Sequence, residues 1–167
     1  MKGAIAGFGF IASNGHAPVY RALPDVEIVA VADITPARLD RAARQLPGAR
    51  RYDSLDALLD AERGGLDFVD IATPPTLHAP MALRALERGV HVLCEKPLAC
   101  ASADVLELMH AARRRRAVLF PVHNYRHAPA VRRVEQLVRS GELGAPRSCT
   151  LATFRTGHAL GVPEWNP

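Results

Sequence analysis

The chain has 167 residues, enough for one domain with a hydrophobic core and part of a second. Its hydrophobic fraction of 49% and its charged fraction of 23% are typical of a globular protein. No run of residues approaches the ~18 apolar positions that a membrane span requires, and the first residues lack the apolar stretch and cleavage site of a signal peptide. We therefore expect a cytoplasmic protein with no membrane partner.

Charge and cysteine usage argue against two further classes of protein. The formal net charge is +4, and much of it comes from four arginines at positions 113–116. With no recognition motif beside them, we favour a solvated helix end over a nucleic-acid contact. The cysteines Cys94, Cys100 and Cys149 are odd in number and lack metal-ligand spacing, so we predict reduced thiols and no metal site.

The first predicted strand, residues 4–6, runs into a glycine-rich loop that opens a predicted helix over residues 11–23. The loop fits the pattern G-x-G-x-x-G/A, in which one glycine permits a tight turn and the next lets the backbone approach a pyrophosphate. The helix N-terminus then offers N–H groups and a positive dipole to the phosphates. The residues predicted to bind a dinucleotide here are Gly7, Phe8, Gly9, Phe10, Ile11 and Ala12.

The second predicted strand, residues 27–32, is followed by Asp33, which lies 24 positions after Gly9. An acidic side chain at this place can accept hydrogen bonds from both hydroxyls of a ribose, and it would repel a 2′-phosphate. The spacing therefore favours NAD over NADP, although Arg38 in the next helix, residues 36–46, leaves NADP open. The alternative is a glycine turn beside a helix-capping aspartate.

Two later strands, residues 68–72 and 90–94, lead into corners that can face a ligand, because ligands of open parallel sheets lie beyond the carboxyl ends of the strands. Thr73 and Pro74 form either a wall for the cofactor or a plain strand-to-helix turn, and His78 is interpreted as a packing or capping residue. Lys96 can donate a proton to a substrate oxygen, with Glu95 positioning it or keeping it charged. On spacing alone, an exposed surface pair is the commoner outcome for such residues.

Strands and helices alternate along residues 1–122, with further helices predicted over 54–62, 77–88 and 103–115 and a last strand over 118–122. The strands are apolar without in/out alternation, which is typical of strands covered on both faces. We predict an α/β domain with a doubly wound parallel sheet, a Rossmann domain that binds NAD(P).

Residues 123–167 differ in character. They open with the polar run HNYRH, which is either part of the ligand site or a domain linker, and continue with an amphipathic helix over 129–140. Residues 148–155 then alternate as one β-strand before a loop-like stretch. Because a lone strand cannot bury its faces, we interpret this segment as the truncated start of a second, α+β antiparallel-sheet domain.

Three segments together resemble the Gfo/Idh/MocA family of dehydrogenases: AGFGFIA, IATPPTLHAPMALRALERGVHVLCEKPLA and HNYRHAPAVRRVEQLVRSGELGAP. The E-K-P motif with the following P-L-A is the most specific element. The resemblance implies an NAD(P)-dependent oxidoreductase that transfers hydride between nicotinamide and a sugar, inositol or related polyol. It also implies a homo-oligomer if the full second domain is present.

The resemblance assigns roles to particular residues. Lys96 of the E-K-P motif would bind substrate and assist proton transfer, and Thr73 and Pro74 would lie against the nicotinamide ribose. Asn124 and Arg126 would sit near the nicotinamide and the substrate. The cofactor contacts expected beyond the glycine loop are Asp33, Thr73, Pro74, Glu95, Lys96 and Asn124.

One family feature is missing from the chain. Members carry an Asp several residues before a His, which supplies the usual acid/base histidine, and no such motif occurs before Pro167. His158 is either a substrate contact or an exposed loop residue, and we do not assign it the acid/base role. The alternative to a dehydrogenase is therefore a truncated, non-catalytic NAD-binding module that needs a partner chain, and a weaker possibility is a non-functional fragment.

Overall fold

The computed structural model describes residues 1–152. Within them, the β-strands are β1 (Lys2–Ala6), β2 (Glu27–Ala32), β3 (Arg50–Tyr52), β4 (Phe68–Ile71), β5 (His91–Glu95) and β6 (Leu119–Val122). The α-helices are α1 (Ala17–Ala22), α2 (Pro36–Gln45), α3 (Leu55–Ala61), α4 (Pro75–Glu87), α5 (Ser102–Arg115) and α6 (Pro129–Arg139). No helix among these residues is long and apolar enough to cross a membrane.

The six strands form one sheet in the order β3-β2-β1-β4-β5-β6, and every neighbouring pair is parallel. The order reverses between β1 and β4, so the chain winds outward in both directions from the centre. All four residues of β4 are buried, as expected for a strand with both faces covered. The predicted doubly wound α/β fold is confirmed.

Two hydrophobic clusters cover the two faces of the sheet. One contains buried residues of α3, α4 and α5, among them Leu58, Leu86 and Leu108. The other packs Ala17 of α1 and Ala42 of α2 against Ile5 and Phe68 of the sheet. Because neighbouring side chains of a strand point to opposite faces, Asp70 lies on the same face as Phe68, beneath the first helical segment.

The helix predicted over residues 11–23 is divided in the structure. Residues Ala12–His16 form a π-helical turn, and α1 follows directly at Ala17. Pro18 lies at the start of α1, where the lack of a backbone N–H removes a hydrogen bond to the preceding turn. The wider turn carries His16 at its end, next to the sheet.

The short edge strand β3 was not predicted. Its three residues pair with β2, Ala30 with Arg50 and Ala32 with Tyr52. Its sequence, Arg-Arg-Tyr, has no apolar run, and two of its three residues are exposed. Backbone pairing to an existing sheet forms this strand, and hydrophobic patterning does not reveal it.

The chain separates into two compact units, Met1–Val122 and His123–Pro167. In the second unit, a short 3-10 helix over Asn124–His127 precedes α6, which matches the amphipathic helix predicted at 129–140. Residues 148–152 form neither helix nor strand, so the predicted strand is wrong over its described part. A strand needs a neighbour to accept its backbone hydrogen bonds. Residues 153–155 lie outside the described residues.

Candidate functional site

The glycine loop follows β1 at the carboxyl edge of the sheet. Gly7 has φ +86°, and a Cβ there would lie 2.7 Å from Thr73 Cγ2 and 2.9 Å from the carbonyl oxygen of Ala72. By contrast, nothing lies within 4 Å of a Cβ placed on Gly9. Packing therefore requires a glycine at position 7. The open space around Gly9 is consistent with the close approach of a phosphate group.

The side chains within the loop divide into buried and exposed ones. Phe8 and Ala12 are fully buried in the cluster beneath α1. Phe10 and Ile11 are about half exposed, at 49% and 48%. The first two side chains anchor the loop to the core, and the other two are available to a ligand.

Asp33 closes this loop from the end of β2. Its Oδ2 accepts a hydrogen bond of 2.7 Å from the Phe8 N–H, and its Oδ1 accepts one of 2.8 Å from the Thr35 N–H. The Arg38 guanidinium lies 3.6 Å from the same carboxylate. Asp33 therefore has a structural role in holding the loop, besides any contact that it makes with a ribose. Arg38 lies next to its carboxylate.

The two corners after β4 and β5 are joined by His78. This side chain is 1% exposed, and its ring nitrogens lie 2.6 Å from the Pro97 carbonyl oxygen and 2.8 Å from the Thr73 carbonyl oxygen. Its interpretation as a packing residue agrees with this burial. His78 holds the Thr73 turn and the Lys96–Pro97 corner together.

Lys96 is exposed at the end of β5, and its peptide bond to Pro97 is cis. The Lys96 N–H donates a 3.0 Å hydrogen bond to Oε2 of Glu95. Glu95 thus contacts the backbone of Lys96, and no contact between its carboxylate and the Lys96 ammonium is seen in residues 1–152. The exposed ammonium is available to a substrate oxygen.

A partly buried polar cluster lies beside this corner, with Asp70 fully buried at its centre. His16 Nδ1 lies 2.7 Å from Asp70 Oδ2, and His16 Nε2 lies 3.2 Å from Glu95 Oε1. The Tyr20 hydroxyl donates a 2.9 Å hydrogen bond to the same oxygen of Asp70. No group of three or more His, Cys, Asp and Glu side chains within residues 1–152 is arranged to hold a metal ion.

Burial and the two carboxylates shift pKa values in this cluster. Burial lowers the pKa of His16, but hydrogen bonds and charges from Asp70 and Glu95 outweigh it and raise that pKa above the ordinary 6.5. Burial and Asp70 also raise the pKa of Tyr20. Burial, with the nearby Asp70 and Glu95, raises the pKa of the Cys94 thiol to about 12, so Cys94 is an unreactive thiol.

Sequence reasoning missed His16, Tyr20 and Asp70 as members of the site. Asp70 carried a usable signal, since it is a charged residue inside the otherwise apolar strand Phe-Val-Asp-Ile and buried charges need partners. His16 and Tyr20 carried no such signal because their approach to Asp70 spans 54 and 50 positions of sequence. All three cysteines are free, as predicted.

The remaining predicted site residues belong to the second unit. Asn124 begins the short 3-10 helix, and its Oδ1 accepts a hydrogen bond of 2.9 Å from the Tyr125 N–H. Arg126 lies in the same turn and is exposed. His158 lies outside the described residues. The roles of these three residues toward cofactor and substrate stay predictions.

The sheet order, the glycine loop and the acidic residue after β2 together define a dinucleotide-binding Rossmann domain. Residues 1–123 match the GFO_IDH_MocA model, described as an oxidoreductase family with an NAD-binding Rossmann fold. The chain belongs to this family.

Two curated relatives are 39% identical to the chain. A D-apiose dehydrogenase of Paraburkholderia graminis aligns over 87% of this chain and 38% of its own length. A dTDP-3,4-didehydro-2,6-dideoxy-alpha-D-glucose 3-reductase of Streptomyces violaceoruber aligns over 89% and 42%. The chain therefore spans less than half the length of these relatives.

A solved structure gives a similar result. The WlbA dehydrogenase of Chromobacterium violaceum, crystallised with NADH and UDP-GlcNAcA, superposes with a TM-score of 0.80 at 32% identity. The superposition covers 86% of this chain and 41% of that one. The chain therefore spans less than half the length of this protein as well.

Proposed function

We propose that this chain forms the cofactor-binding part of an NAD-dependent oxidoreductase that transfers hydride between nicotinamide and a carbinol carbon of a sugar or related polyol. The observation that carries the proposal is the joining of the glycine loop to Asp33 through the 2.7 Å hydrogen bond of the Phe8 N–H. This bond sets the pyrophosphate loop and the ribose-binding carboxylate in one rigid arrangement, at the carboxyl edge where such sheets bind nucleotides.

The described residues fit NAD in three respects. The open space around Gly9 admits a pyrophosphate, and the first N–H groups of the following helix have no acceptors within the helix. The Asp33 carboxylate would face the ribose, where its negative charge would disfavour the 2′-phosphate of NADP, while the adjacent Arg38 would reduce that repulsion. NAD is therefore the expected cofactor, with NADP as a weaker ligand.

When bound, the nicotinamide accepts or gives the hydride. The residues of this chain bind, orient and supply a proton. Lys96 would donate a hydrogen bond or proton to the substrate oxygen from its exposed position after β5, a contribution worth about 10²–10⁴-fold in rate for a general acid. Thr73 and Pro74 would contact the nicotinamide ribose, and Asn124 and Arg126 would lie near the nicotinamide and substrate.

Sugars enter this proposal through the relatives. The D-apiose dehydrogenase and the dTDP-sugar reductase are named for sugar substrates, and the WlbA dehydrogenase was crystallised with a sugar nucleotide. We further propose that the substrate pocket and the oligomer interface need residues equivalent to the unmatched part of these relatives. Residues 123–167 would then be the beginning of that second domain.

Titration of the purified chain with NAD and NADP tests the cofactor assignment. We expect NAD to bind, to bind more tightly than NADP, and to raise the free energy of unfolding by about 2.7 kcal/mol at 100 times its Kd. Absence of NAD binding would contradict the proposal.

A chimera tests the role of Lys96. This chain would replace the aligned region of the Paraburkholderia D-apiose dehydrogenase, and turnover of D-apiose would be measured. We expect Lys96→Met to lower kcat by about 10²-fold or more while NAD affinity is retained. Equal turnover by chimera and variant would remove Lys96 from the mechanism, and a chain that binds NAD but supports no turnover would favour the non-catalytic module.

A further inference from the structure

His16 is placed between two carboxylates, with each ring nitrogen facing a carboxylate oxygen. Nδ1 lies 2.7 Å from Asp70 Oδ2, and Nε2 lies 3.2 Å from Glu95 Oε1. A neutral imidazole has one N–H and so can donate to one of them only, leaving a lone pair facing the other. The imidazolium ion has two N–H groups and satisfies both. The geometry therefore selects the protonated form.

The groups around His16 come from three elements. Asp70 lies on β4, Glu95 on β5 and Tyr20 on α1, with the Tyr20 hydroxyl donating to the same Asp70 oxygen. The Asp70 side chain is 0% exposed, and its Oδ1 has no hydrogen-bond partner among the described residues. A fully buried carboxylate is costly without a counter-charge, and among residues 1–152 His16 is the cationic group that contacts it.

The contact continues from Glu95 to Lys96. While Oε1 of Glu95 faces His16, its Oε2 accepts the Lys96 N–H at 3.0 Å. His16 itself ends the π-helical turn that begins in the glycine loop at Ala12. One side chain therefore connects the helix after the pyrophosphate loop with the strand end that carries the exposed lysine.

We propose that protonated His16 is a positioning residue: by donating hydrogen bonds to Asp70 and Glu95 together, it holds the end of β5, and with it Lys96, against the glycine-loop helix. The value of this arrangement for substrate binding rests on the proposed function, since that function gives Lys96 its role. The connection between His16, Glu95 and the Lys96 N–H does not depend on it.

The arrangement has a pH dependence with a definite sign. The pKa of His16 is raised above 6.5, so the imidazolium is the major form at pH 6.5 and is lost as the pH rises through the higher, folded-state value. Above that value one of the two hydrogen bonds is lost. We expect the bond to Glu95, the longer and less buried of the two, to be lost first.

Histidine ring ¹H–¹⁵N spectra of the full chain test the protonation state, with His16 assigned by the signal missing in His16→Gln. At pH 6.5 we expect both ring nitrogens of His16 to carry protons, a titration midpoint above 6.5, and a lower midpoint in Glu95→Gln. Glu95 is on the partly exposed side of the cluster, so this variant leaves the buried Asp70 contact in place. A neutral His16 at pH 6.5, or a midpoint that Glu95→Gln does not change, would overturn the proposal.

Amide exchange at Lys96, corrected for the intrinsic pH dependence, tests the positioning itself. We expect His16→Gln to reduce Lys96 protection about tenfold, the factor for one hydrogen bond to a charged group, and wild type to lose the same factor above its titration midpoint. The exposed His110 on α5 provides the matched control, His110→Gln, which should retain wild-type protection.

The exchange experiment on Lys96 and the NAD-binding experiment can fail independently of each other. Unchanged Lys96 protection in His16→Gln would remove the positioning role even if NAD binds. Failure of NAD binding with an intact pH-dependent protection would instead remove the proposed function and leave the His16 connection in place.

Discussion

The two glycines of the cofactor loop serve different physical purposes. Gly7 adopts a positive φ against the turn at Ala72 and Thr73, so a side chain would be both strained and obstructed. Gly9 has room for a Cβ within the protein alone. The fold therefore does not require a glycine at this position, and we expect its small size to matter to the bound cofactor.

Alanine substitutions separate these purposes. We expect Gly7→Ala to lower the free energy of unfolding by about 1–3 kcal/mol because of the backbone strain and contact with Thr73, and also to weaken NAD binding. Gly9→Ala should leave the urea midpoint unchanged and weaken NAD binding by itself. Equal stability losses in the two variants would show that packing determines both positions.

Asp33 combines a structural role with a proposed recognition role. Its two oxygens accept hydrogen bonds from the N–H groups of Phe8 and Thr35. We also expect the same carboxylate to disfavour a cofactor with a 2′-phosphate. Loss of the carboxylate would affect the loop with either cofactor. The ratio of the two affinities is therefore the informative measurement.

We expect Asp33→Ser to shift the ratio of NADP to NAD affinity toward NADP by about tenfold, because charge repulsion is removed and Arg38 remains beside the site. Calorimetric titration with both cofactors gives the ratio. The double variant Asp33→Ser, Arg38→Ala tests the contribution of the arginine and should lose most of the increase in relative NADP affinity. An unchanged ratio in Asp33→Ser would contradict the ribose assignment.

At the scale of the elements, helix α5 ends in an unusual way. Arg116, the residue after the helix, has φ 52° and donates its N–H to the carbonyls of the last turn. A left-handed residue at this position is most often glycine because a Cβ there is strained. Three arginines of the last turn, residues 113–115, lie near the negative end of the helix dipole.

Neighbouring arginines allow a matched test of this helix end. We expect Arg116→Gly to raise the free energy of unfolding by about 0.5–1 kcal/mol, since strain is relieved. Arg115→Gly removes the same charge within the helix and should lower it by about 1 kcal/mol. Thermal unfolding of both variants measures the difference, and a loss of stability in Arg116→Gly would show that its side chain has a stabilising contact.

At the scale of the whole molecule, Glu62 and His16 make contributions to the free energy of unfolding that are lost at opposite ends of the pH range. Hydrogen bonds from the Arg50 guanidinium, together with Tyr52, hold the pKa of Glu62 below its ordinary 4.5 against the effect of burial. This contribution is present above pH 4.5 and is lost as the pH falls through the folded-state value. The contribution of His16, whose pKa is raised, is present below pH 6.5 and is lost as the pH rises.

Both contributions are therefore complete between pH 4.5 and 6.5, and we expect stability from these groups to be greatest there. Urea unfolding across pH 3–9 measures the profile. Glu62→Gln should reduce the pH dependence of the free energy of unfolding below pH 4.5 only, and His16→Gln should reduce it above pH 6.5 only. If a variant leaves the pH dependence in its own range unchanged, the substituted residue does not couple protonation to folding.

Local sequence determined most of the architecture. Apolar strands such as β4, broken by glycine and proline and alternating with helices, were sufficient to predict the parallel doubly wound sheet. The glycine loop and Asp33 were found from short-range spacing because a dinucleotide site is built mainly from one strand-turn-helix unit and the next strand end. The edge strand β3 was missed because its polar residues carry no hydrophobic pattern.

Only the tertiary structure determined the hydrogen bonds that join His16 to Asp70 and Glu95. Asp70 and Glu95 could each be singled out in the sequence, but nothing there links them to each other or to His16. Only the parallel pairing of β4 with β5 and the packing of the first helix over β4 bring the three within hydrogen-bond distance. Contacts across 54 and 79 positions leave no local signature. The sequence by itself therefore determined the class of fold and the place of the cofactor loop, whereas the folded sheet decided which charges meet beside it.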